Sequence, residues 1–575
     1  LAPGLASGRT PLSGRTPEYL GEDPLLTGLI AAAGVRGIQH DDRVLATLKH
    51  YVANEQELDR QSSSSNADER TLREIYDLPF EIAVHRGRPA SVMCSYNQIN
   101  HVYACEHPRL NSVLKRDIGF DGYVMSDFGS VHSTAASLVN GLDQELNRPI
   151  WFTPARLDAA LAAGEITQRQ IDAAAFRVVR AYLRGGLFDH PLPATPVADA
   201  STPAHKAIAR ATAEQGSVLL KNDGLLPLRP RPGDEIAVIG PTASSTPTGG
   251  ISASSVCSLP WRFGNPTTLQ CEDLVAPLDG IRSRAARDDA TVTFDGGSDV
   301  AAAAAAAARA DVAVVFGYVR MGEFADLADL RLQGNGDELI AAVAAANPRT
   351  VVVLQTGSAV EMPWLGGVPS VLETWYGGEQ MGPALAALLF GDASPSGKLP
   401  MTFPRRLADT PTAVSPARYP GVVADGIRQV EYGEGLAVGH RWYESQGITP
   451  LFAFGHGLSY TTFAYRELEV RRAGGEMRIR FRVTNTGRRT GTEVAQAYLT
   501  LPPSAGAPGR RLAGWSRAAL APGAHRDVEI RLDRDLHLTE IFDPARGDWT
   551  TARGAYEIHV GGSSATTLRR SFRLW

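Results

Sequence analysis

Gly119-Phe120-Asp121-Gly122-Tyr123-Val124-Met125-Ser126-Asp127-Phe128 is the stretch on which the fold turns. A turn signal, Asp121-Gly122, precedes a short apolar run, and the run ends in an acid directly before an aromatic. A buried parallel strand delivers a carboxylate to the mouth of a β/α barrel in this order. An Asp there is seldom a packing residue, because an unpaired buried charge is costly. If Asp127 is a nucleophile, the rest of the chain should supply an acid partner and hydrogen-bond donors for a polyhydroxylated substrate.

The same alternation extends around this strand. Val44–Leu48 and Ser91–Met93 are further strand-like runs with polar residues after them. Between the runs lie helical patterns at Glu69–Arg86, with Asp68 or Asn66 as N-cap, and at Pro108–Asp117. Strands alternating with helices argue for a parallel sheet with helices outside. Residues 1–190 read as a TIM-like β/α barrel. Only about five or six strand signals occur where a closed barrel needs eight, so the expectation is a barrel lacking its first strands. The sequence opens at Leu1 without Met or a signal peptide, which agrees with that expectation.

Residues 191–204, rich in Pro and Ala, read as a linker. Residues 205–404 read as a second α/β unit. It begins with a helix over His205–Lys221 that runs into Val218-Leu219-Leu220-Lys221-Asn222. Strand patterns follow at Glu235–Ile239, Asp311–Phe316, Thr350–Leu354 and Ser370–Glu373. Residues 405–465 form a loop-rich connector. From 466 to 575 the pattern is all-β, with alternation at Met477–Thr484 and further strands at Glu493–Thr500 and Ala555–Val560. An immunoglobulin-like or fibronectin-like sandwich of about 100 residues fits.

Composition sets the outer bounds. At 575 residues the chain is too long for one core. Hydrophobic residues make up 43% and charged residues 21%, as in ordinary globular proteins. The net charge is -5 and no Lys/Arg block occurs, which argues against nucleic acid as a partner. The longest apolar run, Ala301–Ala308, is too short and too weakly hydrophobic to span a bilayer, so no membrane partner is expected. The Gly249-Gly250 pair reads as a turn, since no P-loop Lys-Ser/Thr follows it. The four cysteines fall into two local pairs, Cys94/Cys105 and Cys257/Cys271, without zinc-site spacing. Two disulfides and four buried thiols both remain open. The reading leans towards a secreted or periplasmic protein over a cytoplasmic one.

Eight motifs in order resemble glycoside hydrolase family 3, the β-glucosidase and β-xylosidase family. They are Gly14-Arg15-Thr16-Pro17-Glu18-Tyr19-Leu20-Gly21-Glu22-Asp23-Pro24, Lys49-His50-Tyr51-Val52-Ala53-Asn54-Glu55-Gln56-Glu57, Asp68-Glu69-Arg70-Thr71-Leu72-Arg73-Glu74, Met93-Cys94-Ser95-Tyr96-Asn97, Ser126-Asp127-Phe128, Val218-Leu219-Leu220-Lys221-Asn222, Ser394-Pro395-Ser396-Gly397-Lys398-Leu399-Pro400 and Phe454-Gly455-His456-Gly457-Leu458-Ser459-Tyr460. The resemblance implies a barrel, an α/β sandwich and a fibronectin type III-like domain. It implies an exo-acting retaining β-glycosidase that hydrolyses terminal β-D-glucosyl residues through a covalent glycosyl-enzyme. No cofactor or metal is implied.

Retaining glycosidases place two carboxyls roughly 5–5.5 Å apart, one as nucleophile and one as acid/base. The resemblance assigns the nucleophile to Asp127. Gly322-Glu323-Phe324-Ala325-Asp326 resembles the family's Gly-Glu-Gly-x-Asp-Arg loop and makes Glu323 the acid/base, with Phe324 in place of Gly and Leu327 in place of Arg. Glu338 is a helical alternative. Lys49 and His50 match the pair that binds sugar hydroxyls, and Arg15 matches the Arg of the first motif. Arg60, Met93 and Tyr96 match residues around the sugar pocket. Phe128 stands where many relatives carry Trp. Glu69 and Arg70 read as an ion pair holding a barrel loop. Relatives also carry a sugar-gripping Asp in an early barrel loop, and this sequence is expected to lack it.

The expected partner is a small β-linked oligosaccharide or an aryl or alkyl glycoside, with homo-oligomerisation left open. Two alternatives accompany this reading. One is a β-xylosidase or α-arabinosidase of the same family. The other is a degenerate carbohydrate-binding paralogue without catalysis, which intact Asp127, Lys49 and His50 argue against.

Overall fold

The computed structural model describes residues 1–575 apart from Asp42, 192–200, 246–273, 474–475, Thr567 and Trp575. Most of the expected linker, together with Gly249-Gly250, Cys257 and Cys271, lies outside the described residues.

The first unit is built on a parallel sheet of Thr47–Tyr51, Ser91–Cys94 and Tyr123–Ser126, in that spatial order. Parallel bridges from Gly4 to Lys49 and from Met125 to Gln144 extend it at either edge. The strands form where four- and five-residue runs can be buried on both faces. Leu48, Val92 and Val124 pack outward against Ile75 and Phe80 of the surrounding helices. The helical pattern at 69–86 is one continuous helix made of Glu69–Thr71, a wider π stretch Leu72–Asp77, and Leu78–Gly87. Asp68 caps it by accepting from the Thr71 N–H at 2.9 Å. The wide turn precedes Pro79, which has no N–H to continue a regular ladder.

Six strands form the second unit, in the order Val218–Asn222, Ser370–Glu373, Thr350–Gln355, Val312–Tyr318, Glu235–Ile239, Thr291–Asp295. All pairings are parallel except the first, which is antiparallel. Apolar layers cover both faces of this sheet. The helix expected over 205–221 corrects to Pro203–Gly216, and 218–222 is an edge strand. Val218, Leu219 and Leu220 are fully buried against Ser370–Glu373, so the apolar run gains more as strand than as helix.

The third unit packs a three-stranded sheet of Phe463–Ala473, Glu476–Asn485 and His525–Leu532 on a four-stranded sheet. The latter is ordered Arg511–Leu520, Gly491–Thr500, Gly554–Gly561, Leu568–Leu574. Ile479, Phe481 and Val483 alternate inward to meet Tyr498 and Ile558. The connector is not only loop. Its hairpin Val422–Ala424 and Ile427–Glu431 returns to the barrel and pairs in parallel with Ser64–Asn66. No described helix is long and apolar enough to cross a membrane.

Candidate active site

Asp127 follows the strand Tyr123–Ser126 at its C-terminal end, where β/α barrels carry their chemistry. It is only 6% exposed. Its two oxygens differ. Oδ1 accepts from the Tyr96 hydroxyl at 2.9 Å and from the Phe128 N–H at 2.7 Å. Oδ2 has no hydrogen-bond partner and lies 3.4 Å from His50 Nε2. Burial raises the Asp127 carboxyl above its ordinary value, while the Phe128 N–H, Tyr96, Arg15 and Arg60 oppose that rise.

His50 is 1% exposed, and burial first, then the charges of Arg15, Lys49 and Arg60, hold it well below 6.5. The imidazole is therefore neutral. Arg15 Nη2 stands 3.1 Å from Nε2 and can only donate, so Nε2 accepts and has no proton to offer Asp127. Glu18 fixes the two cations beside it. Its carboxylate takes Arg15 at 2.8 and 3.0 Å and Lys49 Nζ at 3.0 Å.

The second carboxylate arrives from the other α/β unit. Glu323 lies beyond the C-terminal end of Val312–Tyr318, in a loop that touches the barrel. Asp326 anchors that loop, accepting from the N–H groups of Gly14, Glu57 and Leu58 at 3.0–3.1 Å. Gly14 is required by the close approach, since a Cβ there would lie 2.0 Å from the Ala325 carbonyl oxygen. Phe324 adopts φ +82° where the resembling motif has glycine. Glu323 Oε1 meets Arg60 Nη2 at 2.8 Å and Arg15 Nη1 at 3.6 Å. The Arg60 guanidinium is stacked between Tyr96 and Phe324, 4.4 and 4.8 Å from the ring centres.

Arg15, Lys49, His50, Arg60, Tyr96, Asp127 and Glu323 thus converge. Phe128, half exposed, flanks the mouth. Met93 is 1% exposed and packs with Tyr123, Met125 and Ala181 in the layer beneath Asp127. Glu338 is exposed on the helix Gly336–Ala346. Glu69 and Arg70 do not pair with each other. Glu69 binds Arg109, while Arg70 binds Glu74 and the Ala505 carbonyl. A disulfide joins Cys94 to Cys105 and closes the loop that carries Tyr96. Sequence reasoning missed Glu18, Glu57 and Asp326 as site residues. The i,i+3 spacings Arg15/Glu18 and Glu57/Arg60 were the available signal.

Among the described residues no group of three or more His, Cys, Asp or Glu converges as metal ligands. A cavity of about 590 Å³ opens at the opposite pole, lined by Ala90, Gly122 and Arg184, which lie away from both carboxylates.

A barrel-type sheet, a partner α/β unit and two carboxylates set among basic donors define an enzyme built for a polyhydroxylated substrate. The description "Glycosyl hydrolase family 3 N terminal domain" matches residues 1–181. "Glycosyl hydrolase family 3 C-terminal domain" matches 217–460, and "Fibronectin type III-like domain" matches 493–564. A β-glucosidase of Rhizobium radiobacter is 33% identical, covering 99% of this chain and 87% of the relative. Thermostable β-glucosidase B of Acetivibrio thermocellus is 35% identical, covering 100% and 75%. The crystal structure of DesR, a β-glucosidase from Streptomyces venezuelae in complex with D-glucose, superposes with a TM-score of 0.91 at 32% identity. It covers 100% of this chain and 87% of that one. The chain belongs to glycosyl hydrolase family 3, and it is a glycoside hydrolase.

Proposed function

We propose that the protein is an exo-acting retaining β-glucosidase in which Asp127 is the nucleophile and Glu323 the acid/base. The observation that carries this reading is the asymmetry of Asp127: Oδ1 is held by two donors while Oδ2 is buried and unpartnered. A nucleophilic oxygen needs a lone pair free for the anomeric carbon and a fixed orientation.

Oδ2 attacks C1 and forms the ester. The glycosidic oxygen takes a proton from Glu323 as the C1–O bond breaks. Glu323 then removes a proton from water, which attacks C1 and releases Asp127. Lys49 and Arg15 offer donors to ring hydroxyls, and neutral His50 holds Arg15 in place. β-Glucosidase names among the relatives and neighbours support glucose as the sugar. The Cys94–Cys105 disulfide supports a secreted or periplasmic location.

A 2-fluoro-β-glucoside inactivator should label the peptide bearing Asp127. Labelling elsewhere with turnover present sinks the assignment. A panel of nitrophenyl glycosides should give its highest kcat/KM with β-glucoside. Preference for xyloside or arabinoside would replace the sugar and leave the mechanism standing.

A further inference from the structure

The motif that supplies Lys49 and His50 runs on to Glu57, whose carboxylate has no part in the reaction above. It is buried, and one of its oxygens is engaged twice. Oε2 accepts from Arg60 Nη1 at 2.8 Å and from the Phe324 N–H at 2.7 Å. The Glu57 N–H in turn donates to Asp326. Arg60 gives its other terminal nitrogen to Glu323 at 2.8 Å. One guanidinium is therefore stretched between two carboxylates, fixed by the Tyr96 and Phe324 rings on its faces.

We propose that Glu57 is a positioning residue that holds Arg60 and the Phe324 backbone and so sets both the placement and the proton-donating strength of Glu323. This rests on the acid/base reading of Glu323. A general acid must keep its proton until the leaving oxygen claims it. An undivided positive charge 2.8 Å away favours the carboxylate and works against that requirement. Glu57 divides the charge. Its own ionisation is opposed by burial and sustained by Arg60, the Phe324 N–H and Arg15, with the Asp326 charge working against it. Arg15 at 3.6 Å is another cation on Glu323, and Asp127 and Tyr96 also stand near the pair. Tyr19 also lies near Glu57, and desolvation first holds its phenol well above the ordinary value of 10, so it stays neutral.

The test compares pH profiles of kcat/KM for an alkyl β-glucoside, which needs the acid, and a 2,4-dinitrophenyl β-glucoside, which does not. Glu57→Gln keeps the size and an acceptor for the Phe324 N–H but removes the charge. On the alkyl glucoside its alkaline limb should move to lower pH by about one unit. On the dinitrophenyl glucoside wild-type and variant limbs should coincide. An unmoved limb, or an equal shift on both substrates, overturns the proposal. Glu323→Gln separates the two readings. If it leaves the alkaline limb and the alkyl-glucoside rate intact, the acid/base assignment falls and this inference falls with it. If it removes the limb while Glu57→Gln does not move it, only the inference fails. Should Glu57→Gln not fold, Arg60→Gln tests the same charge from the other side: the limb should rise, and a fixed or lowered limb overturns the proposal.

Discussion

Tyr96 is the residue that makes the two oxygens of Asp127 unequal. Its hydroxyl and the Phe128 N–H load Oδ1 and leave Oδ2 without a hydrogen-bond partner, as the proposed nucleophile requires. Hydrogen bonds to a charged group contribute about 1.5–3 kcal/mol. Tyr96→Phe should therefore lower kcat/KM by roughly 10- to 100-fold. Burial already raises the Asp127 carboxyl, and Tyr96 opposes that rise. Without Tyr96 the carboxyl titrates higher still, so the acidic limb of kcat/KM moves to higher pH. A limb that stays in place would mean that Tyr96 only packs. The same raised carboxyl bears on folding. The stability it permits is fully present below the unfolded value of 3.8 and is lost as pH rises through the higher folded value. Asp127→Asn removes that loss. It should melt above wild type at pH 7, measured by calorimetry, while activity falls by about a thousandfold or more.

Helices and strands place these residues, and their junctions carry their own titration. His537 follows the short helical turn Arg534–Leu536 of the β-sandwich and pairs with Glu81 of the barrel helix Leu78–Gly87 at 3.0 Å and with Glu540 at 2.6 Å. Its ring stacks on Trp549. Burial opposes the charge, but both carboxylates outweigh it and raise the imidazole to about 9. A raised histidine contributes stability that is complete below its unfolded value of 6.5 and lost as pH rises through 9. The contribution is of the order of 3 kcal/mol. His537→Gln should be less stable than wild type at pH 6 and converge with it by pH 10, followed by denaturant melts across that range. The elements themselves were legible to different degrees. Ser91–Cys94, Tyr123–Ser126 and Ser370–Glu373 stand within a residue of where their apolar runs place them. The first strand starts at Thr47, later than its run, because Val44 is 57% exposed and outside the sheet. The hairpin at 422–431 was not legible. Its residues are mostly exposed, and its register comes from pairing with Ser64–Asn66, over 350 residues away in sequence. Asp127, Arg15, Lys49 and His50 could be read from motifs that each lie within one stretch. The Glu57 pairing with Arg60 had a local i,i+3 signal, but its contact with the Phe324 N–H and the role of Asp326 did not, because those partners are defined only after two units meet.

At the scale of the whole molecule, the site exists only where separate units dock. The sandwich core receives Leu25, Leu78 and Ile82 from the barrel helices. Glu74 of the barrel binds Arg511 of the sandwich at 2.6 Å, and Arg9 binds Glu434 of the connector, both pairs buried. These contacts hold the units together without touching the reaction. The contact that does bear on chemistry is the Asp326 anchor. Three N–H groups of the barrel unit, from Gly14, Glu57 and Leu58, converge on one carboxylate of the α/β unit. Backbone donors to a carboxylate are charge-assisted and directional, so they fix the loop rather than merely attract it. Glu323 lies three residues before Asp326, and a displacement of about 1 Å can cost a hundredfold in rate. Asp326→Ala leaves both cores untouched and strands three donors at the seam. Its melting temperature should stay within a few degrees of wild type, since the seam carries little of either core's burial. Its kcat/KM on an alkyl β-glucoside should fall about a hundredfold. On a dinitrophenyl β-glucoside, which needs no proton from Glu323, the loss in kcat/KM should stay within about tenfold. Hydrogen exchange should rise at 56–58 and 322–326 and nowhere in the six-stranded sheet. Equal losses on both substrates, or exchange that rises throughout the α/β unit, would show that Asp326 supports the fold rather than the placement of Glu323.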